Sequence, residues 1–493
     1  MQLNPAQALE PARNLSGNLA QALAAAAAAL TRVAQGRPLD LALEKAFEEA
    51  GAKGLGGPER AAAQDIAYTA CRRLNLLDAL AARLMKKANP AIDGLVRAAL
   101  SELIDHAPQR AHMIVDQAVT AAAGIANGAF KGLVNGVLRS FLREQDALLR
   151  ELCSDEALRL AYPRWWIERV RNAWPAHWQA ILEQGNQPPP MTLRVNLRRT
   201  TVAAYAAQLT AAGLAARRTG PVALTLERPL PVARLPGFAD GDVSVQDLGA
   251  QWAAHFLCAA ATAAAATTQE PLPSPAITPE SDAAAGAAGL AAPAPPASRL
   301  RVLDACAAPG GKTAHLLESV DCDVTALDSD ATRLGAVRAN LARLGLHAQC
   351  RTADAADLAA WWDGTLFDLV LLDAPCTASG VVSRHPDGKW VKRAGDAAKL
   401  TRVQQRLLDA LWQVLKPGGT LLYATCSLFP EENTGQVDAW LSRHADARLL
   451  DTVRDAQRES LPDAPAPPLE WIGGQLLPGP LHGGFFYAGI EKR

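Results

Sequence analysis

Residues 300–493 alternate between short apolar runs and helical stretches. RVLDACAA precedes a helix from Lys312, DVTALDSD one from Ala331, then come AQCRTADA, FDLVLLDAP, a helix from Lys399, TLLYATCS, a helix from Glu431 and GFFYAGI. The runs are too short for helices and are apolar on both faces, as strands sandwiched between helices must be. This pattern predicts a doubly wound, mostly parallel sheet, in which ligands sit beyond the carboxyl ends of the strands. Those ends are polar here: Asp328, Asp354 and Asp373 stand at three, Cys376 comes just past Asp373 in DAPCTASG, and Cys426 follows a fourth in YATCSLFPEEN. A buried thiol is ordinarily a small hydrophobe. Two at adjacent strand ends suggest chemistry.

At 493 residues the chain exceeds what one core usually supports. Residues 17–150 carry helical periodicity over Leu39–Glu49, Glu59–Lys87, Ile92–Ile104, His112–Ile125 and Lys131–Glu144, and an Ala-rich run over Ala22–Leu30 continues the helical pattern through Val33 to Phe47. An all-helical domain over 1–150 is expected. Between Leu160 and Gly220 stand eight Arg and two acids, with Tyr162, Trp165, Trp166, Trp174 and Trp178 among them. Arginine interleaved with aromatics can hold phosphates and stack bases, but an amphipathic helix burying its tryptophans is the better reading for those four. Arg194, Arg198 and Arg199 are the better candidates for nucleic-acid contact. This gives a small basic α/β domain over 156–245 and a catalytic domain over 246–493. The catalytic domain is interrupted at 259–298 by an Ala/Pro-rich segment without aromatic residues, read as a disordered insert.

The formal charge of −1 leaves any affinity for a polyanion to local patches. The eight cysteines include no CxxC pair and no Cys/His spacing typical of zinc, so neither a disulfide framework nor a metal is expected. The Ala22–Leu30 run is short of the roughly 20 residues of a membrane span, and a polar segment precedes it, which argues against a signal peptide. A cytoplasmic protein without membrane association is expected.

The first strand of the catalytic half runs into DACAAPGGKT, where Gly310 and Gly311 let backbone approach a ligand at a helix N-terminus. A P-loop requires glycine five residues before Gly311, and Cys306 stands there; a dinucleotide fold wants GxGxxG, which is missing. S-adenosylmethionine has no phosphates, so its loop can be poorer in glycine. A carboxylate at Asp328 could accept both ribose hydroxyls and one at Asp354 could receive the adenine amine, although each could also be a helix cap. The three strand-end acids together with the loop favour the methyl donor.

The thiols then gain a purpose. Cytosine C5 is a poor nucleophile, but a thiolate adding at C6 turns the ring into an enamine whose C5 can attack a sulfonium methyl; loss of the C5 proton expels the thiolate. Asp373 could bond the base edge and support N3 protonation during the addition. The residues alone leave open which thiol attacks.

DACAAPGGKT, ALDSD, DAPCTASG, RHPDGKW and YATCSLFPEEN resemble the successive motifs of the RNA cytosine-C5 methyltransferases of the Nop/Sun family. The resemblance implies Cys426 as nucleophile and Cys376 as the thiol that assists product release. It also implies cofactor contacts at Cys306, Ala307, Ala308, Pro309, Gly310, Gly311, Lys312, Asp328, Asp354 and Asp373. KGLVNGVLR (Lys131–Arg139) resembles the NusB-like RNA-binding fold, and that domain ahead of these motifs is similar to the Sun/Fmu type of bacterial 16S ribosomal RNA methyltransferase. A Rossmann-like S-adenosylmethionine-dependent domain is then expected behind an all-α NusB-like domain and a small α/β linker domain, acting as a monomer on 16S ribosomal RNA of the cytosine-967 type, not on DNA. The 259–298 segment departs from the family pattern, and His482-Gly483 stands where an acid is expected. Two other readings are a helical RNA-binding factor with a degenerate catalytic half, against which the intact cysteine pair argues, and a P-loop NTPase.

Overall fold

The computed structural model describes residues 18–51, 54–268, 299–451 and 471–493. They form two compact units. One contains residues up to Pro189 together with Thr377–Asp396, the other Pro190–Cys376 with Ala397–Arg493.

The first unit is helical. Leu19–Ala34 is buried along most of its length through Ala22, Leu23, Ala26, Ala29, Leu30 and Val33. Alanine makes this a thin helix that neighbours can approach closely. At Gly94, in the helix Asp93–Asp105, an added Cβ would stand 2.3 Å from the carbonyl oxygen of Ala27. Two expected helices break where local chemistry intervenes. The first stops at Ala34 ahead of Gly36 (φ +87°) and Pro38, and Glu59–Lys87 divides into Gly57–Arg72 and Leu74–Leu84, where Asn75 Oδ1 accepts from the Leu76 amide. Trp166 is buried, as the amphipathic reading requires, while Trp165, Trp174 and Trp178 are half-buried and Arg171 lies 4.2 Å over the Trp178 ring.

The RHPDGKW motif lies in this helical unit. Lys389 is fully buried, and its three ammonium protons reach the carbonyls of Arg72 (2.7 Å) and Ala161 (3.0 Å) and Asn186 Oδ1 (2.6 Å), with the Tyr162 ring 4.2 Å away. Trp390 Nε1 donates to the Cys71 carbonyl, and Asp387 accepts from the amide of Leu39. A segment whose sequence neighbours belong to the sheet is thus pinned among helices by hydrogen bonds that would be costly to leave unmade.

The second unit holds both sheets. Strands β1 (Thr192–Val195), β2 (Ala216–Arg218), β3 (Ala223–Leu226) and β4 (Val243–Val245) pair antiparallel in the order β2-β3-β1-β4, with the helix Val202–Ala211 between β1 and β2 in sequence. The larger sheet comprises β5 (Leu300–Ala305), β6 (Cys322–Asp328), β7 (Gln349–Thr352), β8 (Phe367–Asp373), β9 (Leu415–Thr425), β10 (Ala447–Leu450), β11 (Trp471–Ile472), β12 (Gln475–Leu476) and β13 (Phe485–Lys492). Its order is β11-β12-β13-β9-β8-β5-β6-β7; β5 to β9 are parallel, and β13 runs antiparallel between β9 and β12 and also pairs with β10. The central strands are buried on both faces, so the predicted Rossmann-like fold is present.

The first ten residues of the expected insert, 259–268, are helical. The helix from Leu248 continues to Thr268, because the TAAAATT run (262–268) is rich in the strongest helix former. Residues 269–298 lie outside the described residues. Among those described, no helix is long and apolar enough to cross a membrane.

Candidate active site

The groups of the site stand beyond the carboxyl ends of the parallel strands β5 to β9. After β5 the chain turns sharply: Cys306 has φ +62°, Gly310 has φ +93°, and the helix Gly311–Ser319 begins. The Ala307 amide donates to the Leu327 carbonyl (2.7 Å) and that of Ala308 to Asp328 Oδ2 (3.2 Å), which ties the loop to the end of β6. Asp328 is buried, and its Oδ1 accepts from the Asp330 amide (3.0 Å). These two amide bonds leave lone pairs on this carboxylate for a pair of vicinal hydroxyls. A buried acid with spare acceptor capacity beside a tight glycine turn fits the ribose and backbone contacts of S-adenosylmethionine.

Lys312, on the first turn of the helix, donates to Asp373 Oδ2 at 2.6 Å and thereby joins the loop to the end of β8. Burial works against its charge, but Asp373, joined by Cys426 and Asp304, outweighs burial and raises the lysine pKa. Asp354 lies beyond β7 and is already engaged: Oδ1 accepts from the Ala356 amide (3.0 Å) and Oδ2 from Arg406 (2.8 Å). Burial, reinforced by Asp373, Asp328 and Asp304, pushes the Cys306 thiol up to about 12, so it is held as a neutral thiol and is a poor nucleophile.

Cys376 and Cys426 meet. Their Sγ atoms are 3.5 Å apart, because β8 and β9 are adjacent parallel strands with Asp373 opposite Ala424. A buried polar cluster carries the Cys426 loop. Glu432, fully buried, accepts from Ser427 Oγ (2.5 Å) and from Gln404 (3.4 Å). Asn433 binds the Thr425 hydroxyl (2.6 Å), the Ser427 carbonyl (2.9 Å) and Gln475 (2.7 Å). The sequence signal for this support is the Glu-Glu-Asn run just after Cys426; Gln404 and Gln475 come from other elements and carry none.

Arg194 requires a correction. It is completely buried: Nε and Nη2 grip Glu318 at 2.8 Å each, and Nη1 reaches Gln246 (2.6 Å) and the Gly311 carbonyl (2.7 Å). It cannot meet a nucleic acid and instead braces the cofactor-side helix. Arg198 and Arg199 are exposed, Arg198 donating to the Val320 carbonyl. The missing acid near His482 has a counterpart in Asp247, buried after β4, whose carboxylate accepts from the amides of Gly483 and Gly249.

A Rossmann-like sheet with this strand-end cluster defines a class, the S-adenosylmethionine-dependent methyltransferases. The family model described as 16S rRNA methyltransferase RsmB/F matches residues 293–491, the RsmF/B-like ferredoxin-like domain matches 162–233, and the NusB family matches 20–143. A ribosomal RNA small subunit methyltransferase B from Vibrio cholerae is 39% identical over 95% of this chain and 97% of its own length; one from Salmonella arizonae is 38% identical over 88% and 91%. The solved structure of PH0851, 22% identical, superposes with a TM-score of 0.71 over 96% of this chain and 99% of that one, which shows the shared fold. The chain belongs to the ribosomal RNA small subunit methyltransferase B family and is an S-adenosylmethionine-dependent rRNA methyltransferase.

Proposed function

We propose that the chain methylates C5 of one cytosine in 16S ribosomal RNA, of the cytosine-967 type, through a covalent bond between Cys426 and C6 of the base. The observation that carries this reading is the pair of thiols 3.5 Å apart at the ends of β8 and β9, beside the Lys312–Asp373 pair. Methylation of an exocyclic amine or a ribose hydroxyl needs no thiol. A ring carbon needs one, because C5 becomes nucleophilic only after a thiolate has added at C6.

S-adenosylmethionine supplies an electrophilic methyl group on its sulfonium. Cys306 to Lys312, Asp328, Asp354 and Asp373 would hold it, with Asp328 on the ribose hydroxyls. Asp373 also faces the base edge, where it supports the proton at N3 as Cys426 adds. Once C5 carries the methyl group its proton must leave, the C6–S bond breaks, and Cys376 assists this release. The enzyme acts as a monomer, on RNA rather than DNA, in the cytoplasm. The exposed Arg198 and Arg199 are phosphate contacts on the small sheet's side of the unit.

Cys376→Ala tests the covalent route. Methyl transfer should proceed once and leave RNA attached, giving a slowly migrating protein–RNA band in a denaturing gel that requires cofactor. The Cys376→Ala, Cys426→Ala double variant should give none. A folded Cys376→Ala protein that turns over normally without an adduct would leave Cys376 only a packing role.

A further inference from the structure

The two thiols sit on separate loops, and strand pairing fixes only the last residues before each. The Ala374 amide donates to the Ala424 carbonyl (2.8 Å), continuing the β8–β9 register one residue past β8. Beyond this the Cys376 loop leaves the sheet. Pro375 has no amide hydrogen, so its carbonyl is the one main-chain group at that position able to form a hydrogen bond. That carbonyl accepts from Gln404 Nε2 at 3.0 Å. The same nitrogen reaches Glu432 Oε1 at 3.4 Å, and the other oxygen of Glu432 accepts from Ser427, the residue after Cys426. Gln404 is wholly buried on the helix Asp396–Gln413, at a position where that helix otherwise buries apolar residues such as Leu407, Leu408 and Leu411. Its Oε1 has no hydrogen-bond partner among the described residues. A buried amide with half its capacity unmet costs stability compared with a leucine, so its presence calls for another reason.

We propose that Gln404 is a positioning residue that sets the separation of the two thiols, by tying the carbonyl before Cys376 to the acid that carries the loop after Cys426. This rests on the reading that both thiols serve one reaction, the first bonded to C6 and the second acting when that bond breaks. The geometry favours a tether over simple packing, because one amide nitrogen lies between the two loops and bonds to both. A leucine would fill the volume and hold neither.

The test separates distance from activity. The thiols must close from 3.5 Å to about 2.05 Å to form a disulfide, so oxidation by diamide reads their proximity without RNA or cofactor. Two thiols lose two protons and two electrons, and the diazene is reduced to the hydrazine. In Gln404→Met, a near-isostere without a donor, disulfide formation between Cys376 and Cys426 should slow at least tenfold. The KM for S-adenosylmethionine should stay within about twofold of wild type, kcat should fall, and RNA trapped as adduct during turnover should increase. Gln404→Asn, which keeps the amide but loses its reach, should behave alike and serves if the methionine variant does not fold. Disulfide formation at the wild-type rate in the folded variants overturns the proposal, as does a wild-type protein that forms no Cys376–Cys426 disulfide. If oxidation slows but no variant, Cys376→Ala included, ever traps RNA, the covalent route fails and the tether stands. Trapping in Cys376→Ala with unchanged oxidation in Gln404→Met gives the converse.

Discussion

Arg194 and Glu318 face each other through two hydrogen bonds of 2.8 Å, with neither side chain appreciably exposed to solvent. A buried pair of this kind is worth little against a hydrophobic replacement of both partners, yet losing one partner strands the other. Arg194→Ala should therefore destabilise the protein by about 3–5 kcal/mol in denaturant unfolding. It should also weaken cofactor binding, since Arg194 holds the Gly311 carbonyl. Arg199→Ala, on an exposed side chain, should stay within about 0.5 kcal/mol of wild-type stability and reduce the salt dependence of RNA binding by about one phosphate contact. A stable Arg194→Ala variant with reduced RNA affinity alone would reverse these assignments.

Cys426→Ala should abolish methylation and leave S-adenosylmethionine affinity near wild type, because the thiol acts on the base rather than the cofactor. Calorimetry together with a tritium-transfer assay separates the two. Substantial turnover by Cys426→Ala, alongside loss in Cys376→Ala, would exchange the roles of the two thiols.

Asp328→Ala should weaken S-adenosylmethionine by about 1.5–3 kcal/mol, the range for hydrogen bonds to a charged acceptor. Part of the loss would come from the loop itself, which hangs on Asp328 through the Ala308 amide. Equilibrium titration measures it. Unchanged cofactor affinity would remove Asp328 from the ribose site.

How much of this could be read from the sequence depends on where each constraint acts. The strand-end acids and thiols are legible because a parallel sheet delivers its carboxyl ends to one edge, so alternation alone gathers Asp328, Asp373, Cys376 and Cys426. Arg194 misleads: a strand covered on both faces can hide a charge when a partner such as Glu318 comes from a distant helix, and nothing local marks that partner. Lys389 is equally silent, for its three acceptors come from residues far away in the chain. Gln404 looks like one more polar residue on an amphipathic helix. The helical extension to Thr268 was obscured because alanine shared by the helix end and the Ala/Pro segment blurs their boundary.

Two buried imidazoles set an acid limit on stability. His255 and His315 stack edge to face, 5.3 Å between centroids; burial lowers His255 to about 4 and His315 well below its ordinary value, with Arg194 and His255 adding to the latter. Both folded values lie under the unfolded value of roughly 6.5, so the unfolded chain binds more protons below that pH and stability falls as pH drops from about 6.5 toward 4. Asp304 opposes them. Burial raises it to about 7, so between roughly 3.9 and 7 the folded state holds a proton that the unfolded chain releases. Among these three groups, two imidazoles against one carboxyl leave a net of one proton, or about 1.4 kcal/mol per pH unit, and the buried His482, its pKa also lowered by burial, acts in the same direction. Asp304→Asn should steepen the slope by about 1.4 kcal/mol per pH unit and His255→Phe should flatten it by about as much, in denaturant unfolding between pH 4.5 and 6, values chosen inside the window of about 4 to 6.5. A slope untouched by either variant would mean that these groups do not govern the acid limb.

Gly310 offers the sharpest test of the cofactor loop. Its φ of +93° lies where L residues are strained, at about 1–2 kcal/mol for a left-handed backbone. An added Cβ would also stand 3.0 Å from Val337 Cγ1 and 3.1 Å from its Cα. Val337 is fully buried in the helix Ala331–Leu344 and has no room to retreat, so the loop must move, and overpacking of this sort costs about 1–3 kcal/mol more. The displaced groups are the backbone of Ala307 to Gly311 and, through the Ala308 amide, the carboxylate of Asp328. Gly310→Ala should therefore lose both stability and at least tenfold in S-adenosylmethionine affinity. Gly335→Ala is the control: it lies in the same helix as Val337, its added Cβ meets nothing within 4 Å, and it should raise stability by about 0.5–1 kcal/mol through helix propensity while leaving the cofactor unaffected. Wild-type cofactor affinity in a folded Gly310→Ala protein would show that the turn after β5 does not form the binding surface.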